Sequence, residues 1–531
     1  MPNRSSDVLF QLIKSLEKSE KRNFKLYIKR NSGSEDLKSI QLFDALDKME
    51  EYDEAQLLNK NKNLRKQQLS NAKAHLYREI LTSLRLIRQE ENIDIQLHEQ
   101  LDFARILYNK GLYLQSLRTL DKIKELARAN NQETFLLQVL FFEKTIEGLH
   151  ITRSMQDRAD QLAGEVDVVN DHLQMISRLS NLSLELYSWY IRNGVARNEK
   201  DEAAVQEFFE RNLPGDTSLC QGFYAQLYLF QSFSWYAFIR QDFLMYYRYT
   251  QKWVDLFEKE PFMLRIETSH YIKGMHNLLG AHFDLLNDQK FDETLKQFEA
   301  FSESEIVKNN VNNRIQTFVY LYISKLNQHF IYGTFTEGLS LVPYIEQKLK
   351  EYWIYLDRHR ILVFYYKIAC LYFGSGDYEK TIDYLNKIIN WRVDLRTDLQ
   401  CYSRLLHLIA HYELGNFGLL EYLTKSVYRF MAKMENLTPM EEEIFRFLRK
   451  SFNLKPGQLK EEFAKLLEKL KAYEKNRFET RAFIYLDIIS WLEGKVTGKP
   501  MGSVIHEKYL QSKRKFEDEP VTIEEKAFSK N

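Results

Sequence analysis

The stretch Ile361–Trp391, ILVFYYKIACLYFGSGDYEKTIDYLNKIINW, constrains the fold more than any other part of the chain. Tyr365, Ile368, Ala369 and Tyr372 fall at i, i+3, i+4 and i+7, one stripe of an α-helix. Gly374, Ser375 and Gly376 end that helix, because glycine enters the left-handed region that a helix terminus demands. Asp377 is placed to cap a second helix whose buried face is Tyr378, Ile382, Leu385 and Ile388–Ile389. A lone helical hairpin cannot bury its apolar faces, so it needs neighbours of the same design.

Such neighbours are present. The same spacing recurs around turns at Gly111, Gln241, Gln289, Gly333 and Gly415. Two residues past the turn, every copy carries an aromatic: Tyr113, Phe243, Phe291, Phe335, Tyr378 and Phe417. Aromatics are 14% of the chain, so an unbroken series marks a repeated design. Twelve residues past the turn every copy is apolar: Ile123, Trp253, Phe301, Ile345, Ile388 and Val427. Turns at Ser154–Asp157 and Asn193–Asn198 fill the gap after Gly111, and one at Lys455-Pro456-Gly457 follows Gly415.

This pattern resembles the tetratricopeptide repeat family. The matching residues are Tyr365, Ile368–Ala369, Tyr372, Gly376, Tyr378, Thr381, Leu385 and Ile388, with Thr381 where the family usually has Ala. The turns from 241 to 415 lie roughly 40–48 residues apart, against about 34 in the family, so helices or loops are longer here. A HEAT-like solenoid, with a unit of about 40–47 residues, is the structural rival. The resemblance implies an all-α fold, a right-handed superhelical solenoid of about nine antiparallel helical pairs with a small helical N-terminal cap.

Composition agrees with an all-α reading. Only 8 Pro and 19 Gly occur in 531 residues, and no strictly alternating run is flanked by hairpin turns. The expected organisation is a helical cap at 1–95, a repeat array at 96–475, a capping helix at 476–500 and a charged, weakly packed tail at 501–531. Within the cap, helices are expected near Asp7–Leu16, Glu20–Arg30, Asp36–Glu51 and Asn63–Gln89, with a break at Ser32-Gly33-Ser34. Thr438, Pro439 and Glu441 form a capping box with proline in the first turn. Pro343 should interrupt the second helix of its pair.

The net charge of +1 gives no global pull toward nucleic acid or an acidic membrane. The first residues lack the apolar core of a signal peptide, and Cys220, Cys370 and Cys401 read as buried packing residues in a reducing, cytoplasmic setting. Thr217–Ile239 carries no charge, but its Gln and Ser content and its fit to the repeat make it the most deeply buried helix rather than a membrane span.

No phosphate-binding loop, nucleophile elbow or Cys-x-x-Cys occurs, so no catalytic, cofactor or metal site is assigned. His407 and His411 have metal-ligand spacing but occupy packing positions and lack a third ligand. The resemblance places ligands in a groove lined by the first helices of the pairs. Three residues before each turn stand Tyr108, Phe238, Leu286, Phe330, Phe373 and Tyr412; seven earlier stand Leu101, Gln231, Leu279, Ile323, Tyr366 and Leu405. Such a stripe is either packed between helices or an open groove for a peptide. The polar residues Arg105, Gln231, Asn327 and Lys367 would orient a ligand there.

The leading functional expectation is a non-enzymatic scaffold that binds a protein or peptide. The alternative is a regulator whose basic cap touches nucleic acid, since Lys18, Arg22, Lys25 and Lys29 form one helical stripe. An enzyme built in the cavity of the solenoid is the third possibility and would need convergent titratable residues.

Overall fold

Gly111, Gly333, Gly376 and Gly415 all lie at helix-to-helix turns with φ of +74°, +68°, +87° and +70°. The structure, a computed structural model, describes residues 7–31, 36–60, 66–87, 92–150, 158–391, 397–434, 437–451, 454, 456–473, 478 and 487–518. Among these residues the regular structure is entirely helical, with no strand. The expected breaks at Ser32-Gly33-Ser34 and Ser154–Asp157, and Lys455 of the last turn, lie outside the described residues.

The chain divides into two compact units, Met1–Leu173 and Gln174–Asn531, and the division falls inside the long helix Arg158–Asn193. The first unit opens with helices Val8–Ser15, Lys18–Asn31, Asp36–Lys48, Glu54–Lys60 and Lys66–Ile87. Ile13, Phe24, Phe43, Leu46 and Ile80 form their shared core. The hairpin Ile93–Asn109 and Tyr113–Ala129 follows, then Glu133–Leu149. Their apolar faces meet at Leu97, Ala104, Leu117, Ile123 and Val139. One ion-pair group is built into this core. The Glu143 carboxylate is fully buried and accepts from Lys124 Nζ at 2.6 Å and from the Arg158 guanidinium.

The second unit repeats one local design. Phe223–Ile239 pairs with Phe243–Lys259, Thr268–Asp284 with Asp288–Ser302, Arg358–Ser375 with Tyr378–Ile389, Thr397–Glu413 with Phe417–Lys433, and Pro439–Ser451 with Pro456–Tyr473. Val311–Tyr332 pairs with a broken partner. Phe335–Gly338 gives way to a 3₁₀ turn, and a new helix starts at Val342 with Pro343 in its first turn, as proline requires. Consecutive first helices also touch one another, which closes the core from hairpin to hairpin. In both units a small hydroxyl residue of a second helix bonds across its hairpin: Ser116 Oγ donates to the Ala104 carbonyl at 2.7 Å, and Thr381 Oγ1 to the Ala369 carbonyl at 3.4 Å. Thr381 Oγ1 also donates to the Asp377 carbonyl of its own helix start at 2.9 Å, the shorter of the two bonds.

Two expectations are corrected. The turn expected at Gln289 lies three residues earlier, where Leu286 takes φ of +54° and Asn287 caps the helix Asp288–Ser302. With the turn at Leu286, the apolar position twelve residues on is Phe298, fully buried, in place of the partly buried Phe301. The second correction concerns the first part of the 501–531 tail, expected to be weakly packed; residues 519–531 lie outside the described residues. Met501–Asp518 is a helix that contacts Val311–Tyr332 and Arg358–Ser375. It approaches so closely that a Cβ on Gly333 would lie 2.3 Å from the Gly502 carbonyl oxygen, and one on Gly502 would lie 2.6 Å from that of Gly333. Tyr332 and Tyr509 rings meet at 4.6 Å, and His506 Nδ1 lies 3.0 Å from the Tyr332 carbonyl oxygen. The preceding helix Ile488–Thr497 is anchored on the carboxylate of Glu413, which accepts from Trp491 Nε1 at 2.6 Å and from Lys495 Nζ.

No residue of Phe223–Ile239 is exposed, so this part of the uncharged stretch is a covered helix, whereas Thr217–Leu219 is an exposed 3₁₀ turn. Among the described residues no helix is long and apolar enough to cross a membrane.

Candidate functional site

Helices of the second unit bring together a half-buried cluster of cations and aromatic rings. Lys273 and His276 lie one turn apart on Thr268–Asp284. Tyr320 and Asn327 lie seven apart on Val311–Tyr332, and Arg360 and Lys367 seven apart on Arg358–Ser375, so each pair shares a helix face. Trp235, on Phe223–Ile239, completes the set.

Tyr320 is the hub. The His276 ring stacks on it at 4.4 Å and 26°. Lys273 Nζ lies 5.0 Å from its centroid and 5.6 Å from that of Trp235, within cation–π range of both. The Arg360 guanidinium lies 5.8 Å from the same ring and donates to the Tyr320 hydroxyl at 3.4 Å. Lys367 Nζ donates to Asn327 Oδ1 at 2.6 Å and lies 5.3 Å from the Phe330 centroid. Tyr187, 40% exposed, packs on Trp235 at 4.9 Å and lies within the field of Tyr320 and Arg360.

The electrostatics follow from burial and like charge. Burial, together with Lys273, Lys367 and Arg360, pushes the His276 imidazole well below its usual range. Burial lowers the Lys367 ammonium to about 8. Burial also raises the Asp284 carboxyl to about 7, against the opposing pull of Lys367. At Tyr320 burial alone would raise the phenol, but Lys273 and Arg360 together outweigh it and draw it below its usual value. Asp357 pairs with Arg360 at 3.1 Å. Among the described residues no carboxylate lies within ion-pair distance of Lys273 or Lys367.

The residues marked in sequence distribute unevenly. Asn327, Phe330 and Lys367 belong to the cluster. Gln231 is buried nearby, with its amide 2.9 Å from His270 Nδ1 and accepting from Ser183 at 3.3 Å. Phe238 is half-buried between Tyr190 at 5.3 Å and Tyr246 at 5.1 Å. Tyr366, Phe373 and Tyr412 are core residues, with Phe373 only 2% exposed, so they pack hairpins together and offer no surface to a partner. Tyr108 and Arg105 belong to the first unit. Tyr108 packs on Tyr113 and Phe142, and Arg105 is exposed beside Asp102 at 3.6 Å. Lys18, Arg22 and Lys29 are exposed, whereas Lys25 pairs with Asp44 at 2.6 Å and lies over Phe43.

Sequence reasoning missed Lys273, His276, Tyr320 and Arg360. The turn shift explains His276, since ten residues before Leu286 stands His276, whereas ten before Gln289 stands Leu279. Asn287-Asp288, a capping signal, would have placed the turn correctly. Among the described residues no group of three or more His, Cys, Asp or Glu is placed to hold a metal. The His407 and His411 rings touch at 4.5 Å, and burial holds His407 down to about 4, as a packed neutral pair. No protein-family model matches the chain, and no curated protein is significantly similar to it.

Proposed function

We propose that the protein is a non-enzymatic, cytoplasmic binding scaffold that holds a peptide or protein segment along the inner wall of a tetratricopeptide-like solenoid of about nine helical pairs. The observation that carries this reading is the cluster around Tyr320. Cations, an amide and aromatic faces from successive first helices remain half-buried and only partly satisfied by one another. Packed structural faces of the same chain look different, being apolar and closed as at Phe373 and Tyr412.

Convergent titratable groups also raise the enzymatic reading. Lys367 and Asp284 have opposite shifts, a pattern common at catalytic sites. Yet Lys367 is bonded to the Asn327 amide, and among the described residues no hydrogen bond joins it to a nucleophile or to a base oriented by a third group. The nucleic-acid reading loses the centre of its basic stripe, because Lys25 is neutralised by Asp44.

A photo-crosslinking amino acid at position 187 or 327, compared with one at the outward-facing Tyr422, tests the reading in cells. The expected result is a discrete protein adduct from the two inner positions and none from position 422. Adducts of equal pattern from all three positions would refute it.

A further inference from the structure

Resting on the reading of this wall as a binding surface, we infer that its occupant is an acidic peptide segment. Its Asp or Glu carboxylates pair with Lys273, Arg360 and Lys367, and its apolar side chains lie against Trp235 and Tyr320.

The sign of the charge is the first argument. The chain is close to neutral overall, with a net charge of +1. Several lysines elsewhere in the second unit meet carboxylates, as Lys325 meets Glu299 at 2.8 Å and Lys290 meets Glu293 at 3.0 Å. At this wall Lys273 and Lys367 meet none among the described residues. The nearby acids do little to balance them. Asp357 accepts from the backbone N–H of Arg360 at 2.9 Å and pairs with its guanidinium, as a helix cap. Asp284 is the remaining acid, and burial favours its neutral form. Half-buried cations without counter-charge are costly, and an anion from outside relieves that cost.

The second argument is an unmet hydrogen-bonding atom. His276 Nδ1 is buried and has no partner, although its ring is held against Tyr320. It is a polar atom of the cluster that no described group satisfies.

The third argument is spacing, which suits a peptide that presents more than one carboxylate. Arg360 and Lys367 are seven residues apart on one helix, so their Cα atoms are separated by about 10.5 Å. Carboxylates three residues apart on a polyproline-II chain, with three residues per turn and about 3.1 Å per residue, share one face and lie about 9.3 Å apart, close to that span. The aromatic rings between the cations accept the intervening apolar side chains.

The test uses the full chain and fluorescein-labelled, C-terminally amidated peptides of repeating Glu-Leu-Tyr, Gln-Leu-Tyr and Lys-Leu-Tyr, read by anisotropy. The Glu peptide should bind about tenfold or more tighter than the Gln peptide and weaken steeply with salt. The Lys peptide should not bind. Lys273→Gln and Lys367→Gln should each weaken the Glu peptide about five- to tenfold, and Asp284→Asn should leave it unchanged or tighten it. If a variant does not fold, the comparison of the three peptides on the natural chain still decides. Equal binding of the Glu and Gln peptides overturns the acidic assignment and leaves the scaffold reading standing. Inorganic phosphate that binds where no peptide does also overturns it, in favour of a small-oxyanion site. Absence of binding by all three peptides, together with absent crosslinks at positions 187 and 327, overturns both.

Discussion

Glu441 has no exposed surface, yet it is an acid at the first turn of Pro439–Ser451. Its carboxylate closes the capping box by accepting from the Thr438 N–H at 2.8 Å and from the Thr438 hydroxyl, and it also accepts from Tyr402 at 3.2 Å. The helix dipole adds to this stabilisation. Glu441→Ala removes a buried acceptor shared by Thr438 and Tyr402, so it should lower unfolding free energy by about 2–3 kcal/mol in urea denaturation. Asp284 behaves oppositely. Its carboxyl stands at about 7 in the folded chain against an ordinary 3.8, so the folded state holds the extra proton. Stability is then fully present below about pH 4 and falls as pH rises through about 7. Asp284→Asn should match the natural chain near pH 4 and exceed it by about 1–2 kcal/mol at pH 8, after allowance for solvent screening. Thermal melts across pH check this; a constant difference at all pH values would contradict it.

The turn between Thr268–Asp284 and Asp288–Ser302 is the element where local preference and the fold disagree most. Leu286 holds φ of +54° and is 71% exposed, so the strain of its left-handed backbone is not offset by burial of the side chain. Leu286→Gly should stabilise the protein by about 1 kcal/mol, measured as a rise in the urea midpoint with an unchanged slope. The same turn shows what a sequence can and cannot disclose. Turns at Gly111, Gly333, Gly376 and Gly415 were legible because glycine there has a conformational reason. Leu286 has none, and the neighbouring Phe291 drew the expected turn three residues downstream. The capping box at Thr438 and the break at Pro343 were legible for the same local reasons. Of the candidate site, Lys367 was legible as the only charged residue between Ile361 and Ser375. Its partners sit on other helices, and their convergence depends on how each helix is rotated against the next, which no local pattern encodes. The aromatic stripe misled because Tyr366, Phe373 and Tyr412 obey the spacing of the groove but fill the core.

For the second unit as a whole, the segment beyond Asp487 is the largest departure from simple nearest-neighbour stacking. The unit's hairpins pack on their neighbours in sequence, yet this segment ties Glu413 to Trp491 across 78 residues and Tyr332 to His506 across 174. The Glu413 side chain is only 5% exposed and holds two donors, so Glu413→Ala should cost about 2–4 kcal/mol and lower the melting temperature. Gly502→Val places a side chain against the Gly333 carbonyl and should detach Met501–Asp518. Hydrogen exchange should then rise at residues 501–511 and at 330–336, while the hairpins near residue 250 stay protected. Unchanged exchange at both segments would contradict the tight approach of the two glycines. The strap also orders events during synthesis. Hairpins can form as each leaves the ribosome, but the carbonyl ends of Val311–Tyr332 stay uncovered until residue 509 has been translated. A message that stops short of that codon would yield a nascent chain with every repeat present and one seam open, a form that proteases and chaperones can distinguish from the finished molecule.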